Sequence, residues 1–164
     1  MKRRAATLAF LMLATAAHAT EWAVYSNPRF GETIDIPPGF VNDVPAPENG
    51  DGLSFHSADG KAELLVWGGN LVDGDFKADG KSRLKSAIDD GWKISFQTGF
   101  VNQKHAFSGS KGDRIMYLRS IASCKGKQAL HFRIEYPQQQ KKDYDAVVQR
   151  LAKSLKLKTA SDCG

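Results

Sequence analysis

The sequence predicts an α+β fold with a mostly antiparallel sheet flanked by helices. Three observations predict it. Strand-like segments dominate and are joined by hairpin turn signals. Helical patterns come singly rather than between every pair of strands. The stretch from Arg114 to Pro137 reads as one long antiparallel hairpin around which the rest is organised.

In that hairpin two apolar-patterned segments flank Lys125-Gly126. A two-residue turn there sets Cys124 opposite Lys127. Ile121 then faces Leu130, Tyr117 faces Ile134, and Ile115 faces Tyr136. The apolar sets of both strands share one face only in this register, and a one-residue slip would separate them. The second strand alternates: Leu130, Phe132, Ile134 and Tyr136 point one way; Ala129, His131, Arg133 and Glu135 point the other. The first strand is apolar on both faces, since Met116 and Leu118 oppose Ile115, Tyr117 and Ile121. That places it in the middle of the sheet with material packed on each side. Arg119, opposite Phe132, interrupts an otherwise apolar face.

The chain has 164 residues, enough for one ordinary domain. Residues 1–19 read as a secretory signal peptide. Lys2, Arg3 and Arg4 form the charged start, Ala5 to Ala17 is an apolar run without acids, and Ala17-His18-Ala19 is a cleavage signal. That run is too short for a membrane span, and no other stretch approaches one. Residues 20–164 form the single α+β domain. The expected location is periplasmic or secreted. The 23 basic residues fall to 20 once Lys2, Arg3 and Arg4 leave, against 18 acidic ones. The net charge is then +2 rather than +5. A balance this mild gives no argument for a nucleic-acid partner, and the expected location argues against one.

From the start of the domain, Trp22 to Tyr25 is a strand, and Asn27 to Gly31 turns it. Thr33 to Ile36 follows, with Ile34 and Ile36 inward and Thr33 and Asp35 outward. Pro37-Pro38-Gly39 stops that strand, and Phe40 and Val41 tuck back onto the core. Asn42 to Gly52 is a loop rich in Pro, Asn and Gly. Leu53–Ser57 and Ala62–Trp67 form a hairpin around Asp59-Gly60, which Gly68-Gly69-Asn70 ends. A helix is predicted over Asp75 to Asp90, weakened in front by Gly80 and closed by Gly91. Trp92 to Gln97 is a strand and Phe100 to Phe107 another. Ser108-Gly109-Ser110-Lys111-Gly112 reads as a polar turn. The last helix carries Tyr144, Val147, Val148, Leu151 and Leu155 as one apolar stripe, with acids at its start and lysines at its end.

A resemblance follows from the turns and core positions. Tyr25-x-Asn27-x-Arg29-Phe30-Gly31-x-x-Ile34-x-Ile36-Pro37, then Asn49-Gly50-Asp51-Gly52, then Phe55-x-Ser57-x-Asp59-Gly60-x-Ala62-x-Leu64, resembles a group of small proteobacterial periplasmic proteins of unassigned role. The ending fits too, with Phe132-x-Ile134-x-Tyr136-Pro137 before Tyr144-Asp145-x-Val147-Val148-x-x-Leu151. The order of elements is similar to the Mog1/PsbP-like fold, an antiparallel sheet flanked by helices. That resemblance implies a binding or assembly factor and brings no catalytic residue with it; fold likeness alone transfers no function.

Chemistry-bearing motifs are scarce. No zinc-protease, nucleophile-elbow, paired-cysteine or phosphate-loop pattern occurs. His56, His105 and His131 each stand alone in strand context without a metal-ligand partner at useful spacing. Asn49-x-Asp51-Gly52 is a turn rather than a calcium loop, because its glycine comes too early. No catalytic residue, metal or cofactor is therefore assigned. Cys124 and Cys163 make an even count, and an oxidising compartment favours a disulfide between them. By loop entropy it would be worth about 4 kcal/mol; free thiols or an interchain bond are the alternatives. Ser108, Gly109, Ser110, Lys111 and Gly112 form a candidate partner-binding loop. They are similar to the Ser-Gly-x-x-Tyr loop of periplasmic lysozyme inhibitors, although Tyr117 lies too far along to complete that pattern. Trp67 beside Gly68-Gly69 is a candidate exposed aromatic. The function these features favour is a periplasmic or secreted, non-catalytic binding or structural protein. Its partner would be another envelope protein or a cell-wall component. The alternatives are an inhibitor or immunity-type protein that plugs a cell-wall enzyme, and a hydrolase with an unrecognised site, which requires a deep pocket with His56, His105 or His131 beside an acid; Ser108 and His105 with an acid have no activating motif behind them.

Overall fold

The structure is a computed structural model that describes residues 21–72 and 75–157. The predicted signal peptide and Cys163 lie outside the described residues, so the cleavage site and the Cys124–Cys163 pairing remain expectations. Among the described residues no helix is long and apolar enough to cross a membrane.

The strands are β1 (Ala23–Ser26), β2 (Glu32–Ile36), β3 (Phe40–Val41), β4 (Gly52–Ser57) and β5 (Glu63–Asn70). They continue as β6 (Lys93–Gln97), β7 (Lys104–Lys111), β8 (Arg114–Ser123), β9 (Gln128–Pro137) and β10 (Lys156–Leu157). Helix α1 spans Phe76–Asp89 and α2 spans Lys141–Ser154. Seven strands form the main sheet in the order β3-β4-β5-β9-β8-β7-β6, and β1-β2-β10 form a small second sheet. Every strand pair is antiparallel.

The β8–β9 hairpin has the predicted register, with Ile121 opposite Leu130, Tyr117 opposite Ile134, and Ile115 opposite Tyr136. Its turn differs. The last pair is Ser123 with Gln128, and Cys124–Gly126 form a short 3-10 turn in which Cys124, Lys125 and Gly126 all take positive φ. The sum of the pairing is unchanged, so a longer loop replaces the two-residue one without slipping a side chain.

Each face of the sheet carries its own core. On one face Leu130, Phe132 and Ile134 are fully buried with Leu64, Val66, Phe30, Ile34 and the α2-side residues Leu151 and Leu155. On the other, Phe107, Met116, Leu118 and Trp92 meet Ala87 and Leu84 of α1. Strand β8 contributes to both, as its two apolar faces require. The α2 stripe forms as its spacing predicts, and Tyr144 stacks on Tyr136 at 4.5 Å.

Four segments depart from the sequence expectation. Strand β5 runs on through Gly68-Gly69-Asn70, which pair with Leu130, Ala129 and Gln128. Gly68 is required there because the Phe30 side chain lies where its Cβ would stand. The β6–β7 turn is at Asn102 and Gln103, both at positive φ, a conformation asparagine tolerates better than most residues. That shifts β7 forward, so Ser108–Lys111 belong to a strand paired on both sides, and only Gly112 of the predicted loop lies in a turn. Gly109 permits it, since Lys93 O would sit 2.6 Å from a Cβ at that position. Thr33 is buried rather than outward, and β2 starts one residue earlier, at Glu32. Val41 is exposed instead of tucked inward.

A two-helix cover leaves the sheet half open. A 14-residue helix is about 21 Å long and about 10 Å wide, so it shields roughly two strands spaced about 4.8 Å apart. Seven strands exceed that on the α1 face, and on the other face the small sheet shares the cover through Phe30, Ile34 and Ile36. A groove lies beside each helix.

Candidate functional site

The groove beside α1 has a volume of about 310 Å³. Its floor comes from β5, β8 and β9, and one wall is the inner side of α1. Helix α1 starts where Asp75 accepts a hydrogen bond from the Ala78 N–H at 2.8 Å, an N-cap that fixes the helix against the sheet. Gly80 sits under the Phe100 ring, and His105 stacks on Phe100 at 4.2 Å. A side chain at position 80 would lift this end of the helix, which explains a glycine inside it.

Two arginines and two tryptophans define the groove chemically. The Arg83 guanidinium lies 5.4 Å from the centre of the Trp67 ring, and Arg83 Nε donates to Asp79 Oδ2 at 2.9 Å. The Arg133 guanidinium lies 5.8 Å from the centre of the Trp92 ring and donates through Nη2 to Glu135. Both distances are within the about 6 Å reach of cation–π attraction. Arg133 Nε is buried and has no partner among the described residues. Burial pushes the Arg133 guanidinium below its ordinary value, while the charges of Glu63 and Asp90 oppose that fall. Asp90 stands across the groove at the end of α1, and its carboxylate makes no hydrogen bond or ion pair with the described residues. Ser82 and Ser86 add hydroxyls to the helix wall.

Trp67 is half-buried rather than freely exposed. It stacks on His131 at 5.0 Å and separates this groove from a smaller, apolar one of about 270 Å³ under Val44, Pro45 and Pro47. The sequence marks Trp67 as unusual but does not show what it touches. Arg133 and Trp92 are invisible as a pair in the sequence, because only the sheet brings β9 and the entry to β6 together.

None of the three histidines lines the groove beside α1. Ser120 Oγ and His131 Nδ1 are 2.8 Å apart, which resembles a nucleophile and its base. Both residues are fully buried, and His131 Nε2 has no partner among the described residues to orient it. Burial, reinforced by Arg83, holds His131 well below the ordinary histidine range, so it stays neutral. Burial also lowers His105, against a smaller opposing effect of Asp79. His56 is on β4, 2.6 Å from Asp43 and 3.6 Å from Glu63. Ser108 and His105 are on opposite faces of β7 and form no catalytic pair, because side chains three apart in a strand diverge. Among the described residues no group of three His, Cys, Asp or Glu is placed to hold a metal ion.

The second groove, about 680 Å³, lies beside α2. Ser108 and Ser110 line it with Tyr117, Tyr136 and Phe96. An ion pair at its rim, Lys141 with Asp145, is closed on itself at 2.9 Å. Arg119 is half-buried on the same face, and its Nε has no partner among the described residues.

Comparison with solved structures decides the fold. The solution structure of cyanobacterial PsbP (CyanoP) from Synechocystis sp. PCC 6803 superposes with a TM-score of 0.62 at 14% identity. The match covers 90% of this chain and 98% of that one. The chain has the Mog1/PsbP-like fold. A mutant of Mog1 matches with a TM-score of 0.63 at 10% identity, over 88% of this chain and 100% of that chain. The Saccharomyces cerevisiae Ran-binding protein Mog1p matches at 0.61 and 10% identity, over 87% and 98%. No family model matches the chain, and no curated protein matches it in sequence. At these identities the Mog1/PsbP-like likeness concerns the fold, and the groove beside α1 is read from this chain's own residues.

Proposed function

We propose that this is an exported, non-catalytic binding protein of the cell envelope, with the groove beside α1 as its ligand seat. The observation that carries the reading is the pair of arginines laid on tryptophans along one groove. Concave sites that combine aromatic walls with a few convergent polar groups are the usual form of a binding pocket. Export is supported by the charged start, apolar run and Ala17-His18-Ala19 signal. A partner of the envelope or cell wall then follows from location.

The two alternatives fare less well. A plug-type inhibitor needs a protruding loop, whereas Ser108–Ser110 are held in β7 by pairing on both sides. A hydrolase needs a reachable nucleophile and base, whereas the Ser120–His131 pair is fully buried with Trp67 stacked on His131. The reading is tested by adding a low-mass envelope extract to the labelled protein and following its tryptophan indole signals. Trp67 and Trp92 respond, and the bound compound is recovered chemically unchanged; recovery of a converted product would refute the non-catalytic role.

Export also favours the Cys124–Cys163 disulfide. Non-reducing mass analysis of the exported protein then shows both thiols lost, while two alkylatable thiols per chain refute the bond.

A further inference from the structure

The groove beside α1 carries two acids and two bases: Asp79 and Asp90 against Arg83 and Arg133. The two pairs differ. Arg83 and Asp79 satisfy each other on one turn of the helix. Arg133 and Asp90 do not. They line the same groove without an ion pair between them: Arg133 gives Nη2 to Glu135 and buries its Nε, which leaves Nη1 without a partner among the described residues, and the exposed Asp90 carboxylate is unpaired among them too.

Asp90 is also placed against local preference. It caps the C-terminal end of α1, directly after Asp89, and the last turn of that helix has no basic residue. A helix C-terminus carries partial negative charge and disfavours carboxylates. Asp89 is paired with Lys85 one turn back, whereas Asp90 has no ion pair among the described residues and meets Arg133 only through its charge across the groove. Breaks of a local rule without a structural partner concentrate at functional sites. A cation bound there would meet the Asp90 carboxylate, while the Ser86, Ala87 and Ile88 carbonyls already accept from the Asp90, Trp92 and Gly91 N–H groups.

We propose that the groove binds a zwitterionic amino-acid or short-peptide ligand, its carboxylate on Arg133 and its ammonium on Asp90. This rests on the reading of the groove as the ligand seat. The volume of about 310 Å³ is at the small end of the about 300–1,000 Å³ typical of ligand sites, which suits a dipeptide better than a long chain. Polyanions are disfavoured by Asp79, Asp90 and the nearby Glu135. Polycations are disfavoured by the two guanidiniums. A neutral sugar would seek an open aromatic face, but Trp92 is only 6% exposed and its ring already carries Arg133. What remains complementary is a molecule with one charge of each sign at its ends. The Arg133 guanidinium, whose Nη2 is shared with Glu135, offers Nη1 to a carboxylate, and the Ser82 and Ser86 hydroxyls can meet the peptide group between the two charges.

The test is calorimetric titration of the exported protein with alanyl-alanine, its N-acetylated form, its C-terminal amide, and succinate as a dianion. Free alanyl-alanine binds at least about tenfold more tightly than either blocked form, as expected for losing one charge-assisted contact. Arg133→Gln lowers its affinity at least about tenfold, and Arg133→Lys, which keeps the charge but not the fork, falls between. Asp90→Asn removes the difference between the free and acetylated dipeptides while still binding both. Thermal unfolding of each variant separates lost binding from lost fold. Equal or tighter binding of the acetylated form or of succinate would overturn the zwitterion and leave the groove as an anion seat. Binding that is unchanged in Arg133→Gln and in Trp67→Ala would overturn the groove itself. Absence of heat with all four probes overturns the dipeptide assignment.

Discussion

Replacing Gly68 by alanine destabilises the protein by about 2–3 kcal/mol, whereas the same change at Gly69 stays within about 0.5 kcal/mol of the parent. The two glycines are neighbours in β5 and differ in the face they turn to. A Cβ at Gly68 would stand 2.4 Å from Phe30 Cβ and 2.5 Å from Phe30 Cγ. Phe30 is 3% exposed and belongs to the core that joins the small sheet to the main one. Its Cβ is tied to its own backbone, so relief requires moving the β1–β2 turn and not merely rotating a ring. That turn is itself held, since Asn27 accepts from the Arg29 and Phe30 N–H groups and donates to the carbonyls of Gly50 and Asp51. A Cβ added at Gly69 would meet nothing within 4 Å. Alanine there even removes some of the entropy cost of a glycine in a strand. Urea unfolding of the two variants gives the contrast directly; equal losses would mean that Phe30 does not dock on β5.

Stability falls as pH rises from about 4.5 to about 7, and Glu32→Gln removes most of that slope. Glu32 is on the core face of β2 beside Ile34 and Ile36, and it is fully buried. Neither carboxylate oxygen has a partner among the described residues. Burial is the main cause that pushes its carboxyl up to about 7 from 4.5; the Asp51 charge adds to it, while its own backbone N–H and the Asn27 side chain oppose. Tyr25, which also faces this space, is pushed up to about 12, first by burial and then by Glu32, and stays neutral throughout the range. A carboxyl raised in the folded state binds its proton more tightly there than in the unfolded chain. Below pH 4.5 both states hold the proton and its stabilising effect is whole. Above about 7 neither does, and the folded state has lost on the order of 3 kcal/mol from this group. Unfolding free energies measured between about pH 4 and about pH 8 test this. A parent profile that is flat, or a Glu32→Gln profile as steep as the parent's, contradicts it.

The parts of the fold that are legible in the sequence are those where one pattern has one solution. The β8–β9 register is readable because Ile121, Tyr117 and Ile115 meet Leu130, Ile134 and Tyr136 only in a single alignment. The α2 stripe is readable from its spacing. The misleading parts share a cause: small residues serve two purposes. Gly68-Gly69 and Ser108-Gly109-Ser110 look like turns, but Gly68 and Gly109 are small because Phe30 and Lys93 come too close for a side chain. Only the neighbour, distant in sequence, reveals that. Glu32 escapes notice for a similar reason, since nothing in Phe30-Gly31-Glu32 shows that the small sheet turns a carboxyl inward.

The candidate site is the least legible element. Trp67 is marked as unusual by its position next to two glycines. Arg133 appears only as one polar residue on the outward side of an alternating strand. Its meeting with Trp92, and the unpaired Asp90 opposite, depend on how α1 crosses the sheet. A helix that covers about two of seven strands necessarily leaves such a groove, but its lining is a tertiary property.

The most direct measurement of the central claim uses the three tryptophans as reporters. Trp67 and Trp92 line the groove beside α1, while Trp22 lies under Arg150 of α2, 4.2 Å from that guanidinium. In a nitrogen-15 spectrum each gives one indole signal. On addition of the low-mass envelope extract, the Trp67 and Trp92 signals shift together and Trp22 stays fixed. A shift of Trp22 alone, or three unmoved signals, would contradict the placement of the ligand seat beside α1.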